Sequence, residues 1–280
     1  RAEVLELAAE FTTYGLRNRS GAERNEVADQ AWGLFAARSQ IDAETKLSRI
    51  PTPDTRPDQG HLPARFGLGV GARASRRFYS LHLRPAYHEL TDPPGGYVRG
   101  AEIEFLDLKL RHYEDAQVSL ESFTVLGIRS LTPRNRLFRP ISWRLKAGFE
   151  RLRAQRDDVQ GSLIGALHGG AGQSFAVGKH ATIGLLADVV VGVGTRCADT
   201  CLAGIGPNLT MLWPVTSRWL LNVDGRVQLL GTGGVADRFS VHFGQSVTLT
   251  RNLALKLGGR WEDDGGGVQT EWLASLDWYF

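Results

Sequence analysis

The chain predicts an all-β fold, a transmembrane antiparallel β-barrel of about 12 strands, preceded by a short α-helical segment. Three observations carry this expectation. Residues 268–280 alternate: Val268, Thr270, Trp272, Ala274, Leu276, Trp278 and Phe280 point one way, and Gln269, Glu271, Leu273, Ser275, Asp277 and Tyr279 the other. A strand has period two, so one face of this segment is apolar and aromatic and the other mostly polar. The strand-like runs after residue 64 are mostly 9–15 residues long, closer to the ~9–11 residues of a tilted membrane strand than to the ~5–6 of a globular one. Charges in mid-strand lie opposite the apolar face, as they do when the apolar face meets lipid and the polar face a lumen.

In chain order, residues 2–14 and 23–40 carry helix formers with apolar residues at helical spacing, among them Leu5, Ala8, Ala9, Val27, Ala31 and Leu34. Residues 1–50 therefore read as a periplasmic helical segment, the tail of an upstream domain. Residues 51–63, with Pro51, Pro53, Pro57 and Pro63, read as an extended linker, and 64–280 as the barrel. The predicted strands are 65–73, 77–87, 101–114, 117–131, 141–154, 161–175, 181–194, 202–213, 218–230, 238–250, 253–263 and 268–280. Their inward faces would hold a charge network of Asp107, Lys109, Arg111, Arg144, Lys146, Glu150, Asp224, Arg226, Lys256, Arg260, Glu271 and Asp277. Short turns at 214–217 and 251–252 fall at the end of the barrel where Phe280 lies. The long connections 92–100 and 133–140 fall there too, which points either to miscounted early strands or to a functional surface.

Composition excludes several classes. A net charge of +3 without a polybasic block gives no support to a nucleic-acid partner. No stretch approaches the ~18 consecutive apolar residues of a membrane-spanning helix, which excludes a helical membrane protein. Arg1 is not followed by a signal-peptide pattern, so the chain reads as a mature form or the C-terminal piece of a longer exported protein. Cys197 and Cys201, with no histidine in their loop, cannot complete a zinc site, and a small disulfide is expected in an oxidising envelope. No cofactor or metal is expected.

Phe280 with Trp278, Leu276 and Trp272 at alternate positions resembles the C-terminal signal read by the barrel-assembly machinery. That resemblance implies the machinery and outer-membrane lipid as partners, and the outer membrane of a Gram-negative bacterium as location. Trp143, Trp213, Trp219, Trp261, Trp272, Trp278 and Phe280 are the expected lipid-facing or interfacial aromatics. Five segments, Asp58-Gln59-Gly60-His61, Leu83-Arg84-Pro85-Ala86-Tyr87-His88-Glu89-Leu90, Asp92-Pro93-Pro94-Gly95-Gly96-Tyr97, Gly100-Ala101-Glu102-Ile103-Glu104-Phe105-Leu106-Asp107-Leu108 and Leu137-Phe138-Arg139-Pro140-Ile141-Ser142-Trp143, carry a second resemblance. They are similar to the C-terminal barrel region of proteobacterial envelope proteins whose upstream periplasmic domain is related to the N-terminal domain of the lipoprotein N-acyltransferase Lnb. The resemblance implies a papain-like or acyltransferase-like Cys/His domain upstream as partner, and no catalytic residue carries over to these 280 residues.

Three chemistries compete within the chain. Ser80-Leu81-His82 and Ser240-Val241-His242 have the Ser/His spacing of a barrel lipase in reversed order, and a lumenal hydrogen-bond network explains them more simply. His88 precedes the turn at Asp92 and is read as holding it. A pore would need charge of one sign, whereas acids and bases interleave, favouring a filled lumen. Arg129, Arg134, Arg136 and Arg139 with Leu137 and Phe138 form a candidate docking loop for phosphate headgroups or an acidic partner, against a merely solvated basic loop. The resulting expectation is a membrane anchor for an upstream domain, with no covalent chemistry of its own. The alternatives are a small-solute channel, a lipid-modifying barrel enzyme and a soluble β-sandwich.

Overall fold

A computed structural model describes residues 1–43, 55–114, 118–153, 161–178, 180–194, 201–231, 237–263 and 267–280. The chain divides into two compact units, Arg1–Pro53 and Asp54–Phe280. In the first, α1 (Ala2–Gly15) and α2 (Gly21–Ser39) pack together around Ala9 and Ala31, and Arg38 Nε donates to Glu6 Oε1 at 3.1 Å. Small residues at the contact let the two backbones approach, while Phe11 and Trp32 stay exposed.

The second unit is a barrel of strands β1 (Arg65–Arg73), β2 (Arg76–Arg84), β3 (Ala86–His88), β4 (Ala101–Tyr113), β5 (Val118–Ser130), β6 (Pro133–Arg134), β7 (Ser142–Leu152), β8 (Ser162–Val177), β9 (Ala181–Val193), β10 (Cys201–Pro214), β11 (Trp219–Leu230), β12 (Arg238–Thr250), β13 (Leu253–Asp263) and β14 (Gln269–Tyr279). Apart from the short β3 and β6, the long strands pair antiparallel with their sequence neighbours, and β1 pairs with β14 to close the ring. Closure leaves twelve wall strands and no free sheet edge.

Pro85 explains why the run 77–87 is broken. It has no N–H to give to the ladder, so β2 ends at Arg84 and β3 resumes in the same register against β4. Opposite the break, Leu106 adopts φ 53° and both Phe105 and Leu106 face outward. This left-handed residue shifts the alternation without breaking the register, so that Glu102 and Glu104 before it and Asp107, Lys109 and Arg111 after it all face the lumen.

The outer surface is apolar all round: Leu68, Val70, Leu145, Phe149, Val189, Val191, Ile205, Leu255, Leu257, Leu276 and Trp278 are exposed, while the residues between them turn inward. In water such a surface would aggregate, and a closed ring leaves no second sheet to cover it, which removes the soluble sandwich. A single-chain antiparallel barrel with an even number of strands and an apolar exterior is of the outer-membrane type, and the chain is an outer-membrane protein of a Gram-negative bacterium. No helix among the described residues is long and apolar enough to cross a membrane.

Candidate functional site

The twelve residues of the expected charge network all lie on inward faces, and eleven of them line two cavities of about 320 and 140 Å³ in the lumen. The other, Asp107, is buried and accepts from His82 at 2.5 Å, with Lys109 at 3.6 Å. Arg111 clamps Glu271 at 2.6 and 2.8 Å, Arg144 meets Asp188 at 3.0 Å, and Arg226 reaches the same Asp188 at 3.6 Å. Arg260 lies directly opposite Glu271 across β13 and β14. The interior is therefore a set of ion pairs, several of them joining strands that are not neighbours in the wall.

The densest cluster closes the end where Phe280 lies, here the terminal rim. The connection 89–100 folds inward there, and Leu90 packs on Leu131, Leu186 and Leu212. Asp92, fully buried, is its anchor. Oδ1 accepts from Arg65 Nη1 at 2.9 Å, Lys256 Nζ at 2.9 Å and the Tyr279 hydroxyl at 2.8 Å. Oδ2 accepts from Arg84 Nη2 at 2.6 Å and the Glu89 amide at 2.8 Å. Glu89 adds a second carboxylate, bonded to Arg65 and 3.3 Å from Lys256. Five donors on one carboxylate compensate burial that would otherwise be costly.

A histidine pair seals the cluster. His61 Nδ1 donates to the Leu62 carbonyl at 2.6 Å, which leaves Nε2 to accept from His88 Nδ1 at 2.9 Å. Tyr97 stacks on both rings, at 4.4 and 4.2 Å, and donates its hydroxyl to the His61 carbonyl at 3.0 Å. His61, His88 and Asp92 are close enough to suggest metal ligation, but the donor set does not suit it. Asp92 has no lone pair left, and Arg65, Arg84 and Lys256 already neutralise it. The cluster is a latch.

Residues 57–63, read as linker, are in fact built into this rim. Pro57–Gln59 form a 3₁₀ turn, Gly60 and His61 are buried, and Arg251 donates to the Gly60 carbonyl at 2.6 Å. A Cβ on Gly60 would lie 2.6 Å from the Gly95 carbonyl, and Gly96 opposite has φ 80°, so the two segments approach as only glycines allow. Pro57 and Pro63, two of the prolines that suggested an extended spacer, instead stiffen a strap. Residues 44–54, the rest of the expected linker, lie outside the described residues.

Other expectations change as well. Arg129 does not join the docking loop but turns inward to Asp224 at 3.1 Å and Glu102 at 3.4 Å, because it follows Gly127 on the inner face of β5. Arg134 is tied to Gln173, whereas Arg136, Phe138 and Arg139 are exposed. Neither Ser80 with His82 nor Ser240 with His242 forms a hydrogen bond. His82 is held by Arg65 and Asp107, so neither of these two serines is poised as a nucleophile. The disulfide is not supported: Cys201 is free and exposed at the start of β10, and Cys197 lies outside the described residues. Of the expected aromatics, Trp143, Trp213, Trp219, Trp272, Trp278 and Phe280 are exposed on the outer face, with Trp261 edge-on to Trp272 at 5.4 Å.

The latch is sensitive to acid. Burial lowers the pKa of His61 below 6.5, outweighing the attraction of Asp92. A histidine that binds its proton more weakly in the folded than in the unfolded state contributes fully above its unfolded pKa and loses that contribution as pH falls below it. Burial pushes Glu89 and Asp92 upward, but Lys256 with Arg65 and, for Asp92, Arg84 outweigh it and hold both well below 4.5 and 3.8. Their contribution persists until the pH falls below those values. Urea midpoints measured against pH are expected to start falling below about pH 6.5, and H61Q is expected to flatten that first decline.

Solved structures similar to the chain include outer-membrane barrels, all at low identity. The NanC porin matches with a TM-score of 0.49 and 6% identity, covering 77% of this chain and 100% of that one. The KdgM porin, solved in complex with disordered oligogalacturonate, matches at 0.44 and 10%, covering 77% and 99%. An outer membrane channel from Pseudomonas putida F1 matches at 0.46 and 8%, covering 86% and 100%. No curated protein matches the chain. Residues 54–279, the whole barrel with its strap, match the family described as a domain of unknown function, DUF7840, and the chain belongs to that family.

Proposed function

We propose that this barrel is a closed outer-membrane anchor for a periplasmic domain, with no covalent chemistry of its own. The observation that carries the reading is the Asp92 latch. It draws the connection 89–100 into the lumen and bonds it to β1, β2, β13 and β14 at once. Ion pairs fill much of what remains, around two adjoining cavities of about 320 and 140 Å³ that share Glu89, Glu102, Lys109 and Arg129 as lining. The chain joins the barrel at the rim where β14 ends, with Phe280 N–H donating to the Ala64 carbonyl at 2.9 Å and the reverse bond at 3.2 Å. In the anchor reading this rim faces the periplasm, and the strap at 57–64 is the tether for an upstream acyltransferase-like domain. Planar-bilayer recording of the refolded, heat-modifiable chain tests it. Silence is the expected result, and steady single-channel steps would favour the small-solute channel.

A further inference from the structure

We propose that the terminal rim is a docking surface for anionic phospholipid headgroups, centred on the loop 131–141. Asn135 folds this loop into a tight turn. Its Oδ1 accepts from the amides of Leu137 and Phe138 at 2.8 and 2.7 Å, and its own amide donates to the Phe138 carbonyl at 2.8 Å. The turn sets Leu137 and Phe138 side by side and exposed, and exposed Ile141 and Trp143 follow on the way into β7. These side chains extend the lipid-facing band to its edge. Arg136 and Arg139, both exposed, flank the apolar pair. Arg134 braces the base of the loop by lying 5.9 Å from the Phe175 ring centroid and bonding Gln173.

The charge of the whole rim points the same way. Arg99, Arg218 and Arg251 are also exposed on its connections. Among the described residues of those connections, Asp58 is the one exposed carboxylate, and Arg56 pairs with it at 2.9 Å. An unneutralised ring of guanidinium groups at the border between apolar surface and water matches the layer where phosphodiesters sit. Guanidinium binds phosphate oxygens in pairs while its stem stays in the apolar zone. Headgroups with net negative charge gain from the ring as a whole, whereas zwitterionic ones gain little.

The test uses the full chain in discs of mixed phosphatidylcholine and phosphatidylglycerol, with retained lipid counted by mass spectrometry after purification. Wild type is expected to retain phosphatidylglycerol several-fold above its bulk share. R136Q/R139Q is expected to return the ratio most of the way to bulk, with unchanged heat-modifiable mobility. Retention unaffected by the double change would overturn the proposal, as would displacement of the lipid by water-soluble glycerol phosphate. Should the variant not fold, wild-type enrichment measured against salt decides: it must fall with ionic strength, and a salt-independent enrichment would overturn the proposal equally.

Discussion

Asp92→Ala is expected to lower the unfolding free energy of the barrel by about 3–5 kcal/mol, the range for removing one partner of a buried charge cluster. The alanine leaves Arg84 with the Tyr87 carbonyl at 3.1 Å and Glu89 as its one carboxylate, 4.0 Å away, and removes the acceptor of the Tyr279 hydroxyl. Arg65 and Lys256 keep Glu89 and Asp277, so the loss is concentrated at Arg84 and in the connection itself. Without the Asp92 anchor, 89–100 would be held mainly by Glu89, Leu90 and the Tyr97 stack, and intermittent conductance is expected in bilayers where wild type is silent. Asp58→Ala serves as a control: its pair with Arg56 is exposed and contributes little. A D92A barrel as stable and as silent as wild type would remove the latch from the explanation.

Val189→Arg is expected to cost about 2–4 kcal/mol, the price of an arginine facing lipid near mid-membrane. The neighbouring position makes the comparison sharp. Asp188 is buried and meets Arg144 at 3.0 Å, while Val189, one residue on and near the middle of β9, is exposed on the outer face. A charge that is structural on one face is thus ruinous on the other. Urea titration of the refolded protein in bilayers measures the cost, with Val189→Thr expected to be much milder. Equal stability of V189R and wild type would mean that this face does not meet hydrocarbon.

Strand faces were legible because a pleated chain cannot hide its period. Trp272, Leu276 and Trp278 announce lipid, and Glu271 and Asp277 between them announce a lumen. The latch was not legible, for a geometric reason. Asp92 belongs to a connection without periodicity, and its partners come from β1, β2, β13 and β14, which meet only once the ring closes. Arg65, Arg73 and Arg84 sit at strand ends, where a sequence reading gives them to solvent, yet all three are buried. Asp188 left a faint signal, a lone acid in the run Leu185 to Val191 that alternation would have turned inward. The kink at Leu106 left none, since a left-handed backbone at a leucine has no sequence signature and its effect is a change of parity within the strand.

The seam between β1 and β14 also orders events in time. Gly67 faces Asp277 and Ala72 faces Trp272, although nearly the whole barrel sequence separates them. Hairpins between sequence neighbours can zip early, but this pairing must wait for every other strand, because loop closure over such a span gains nothing until the strands between are in place. Until then β1 and β14 each present an unsatisfied edge able to recruit a stranger. The committing step of assembly is therefore a single late event, and a chain arrested before it is a template for aggregation rather than a smaller barrel.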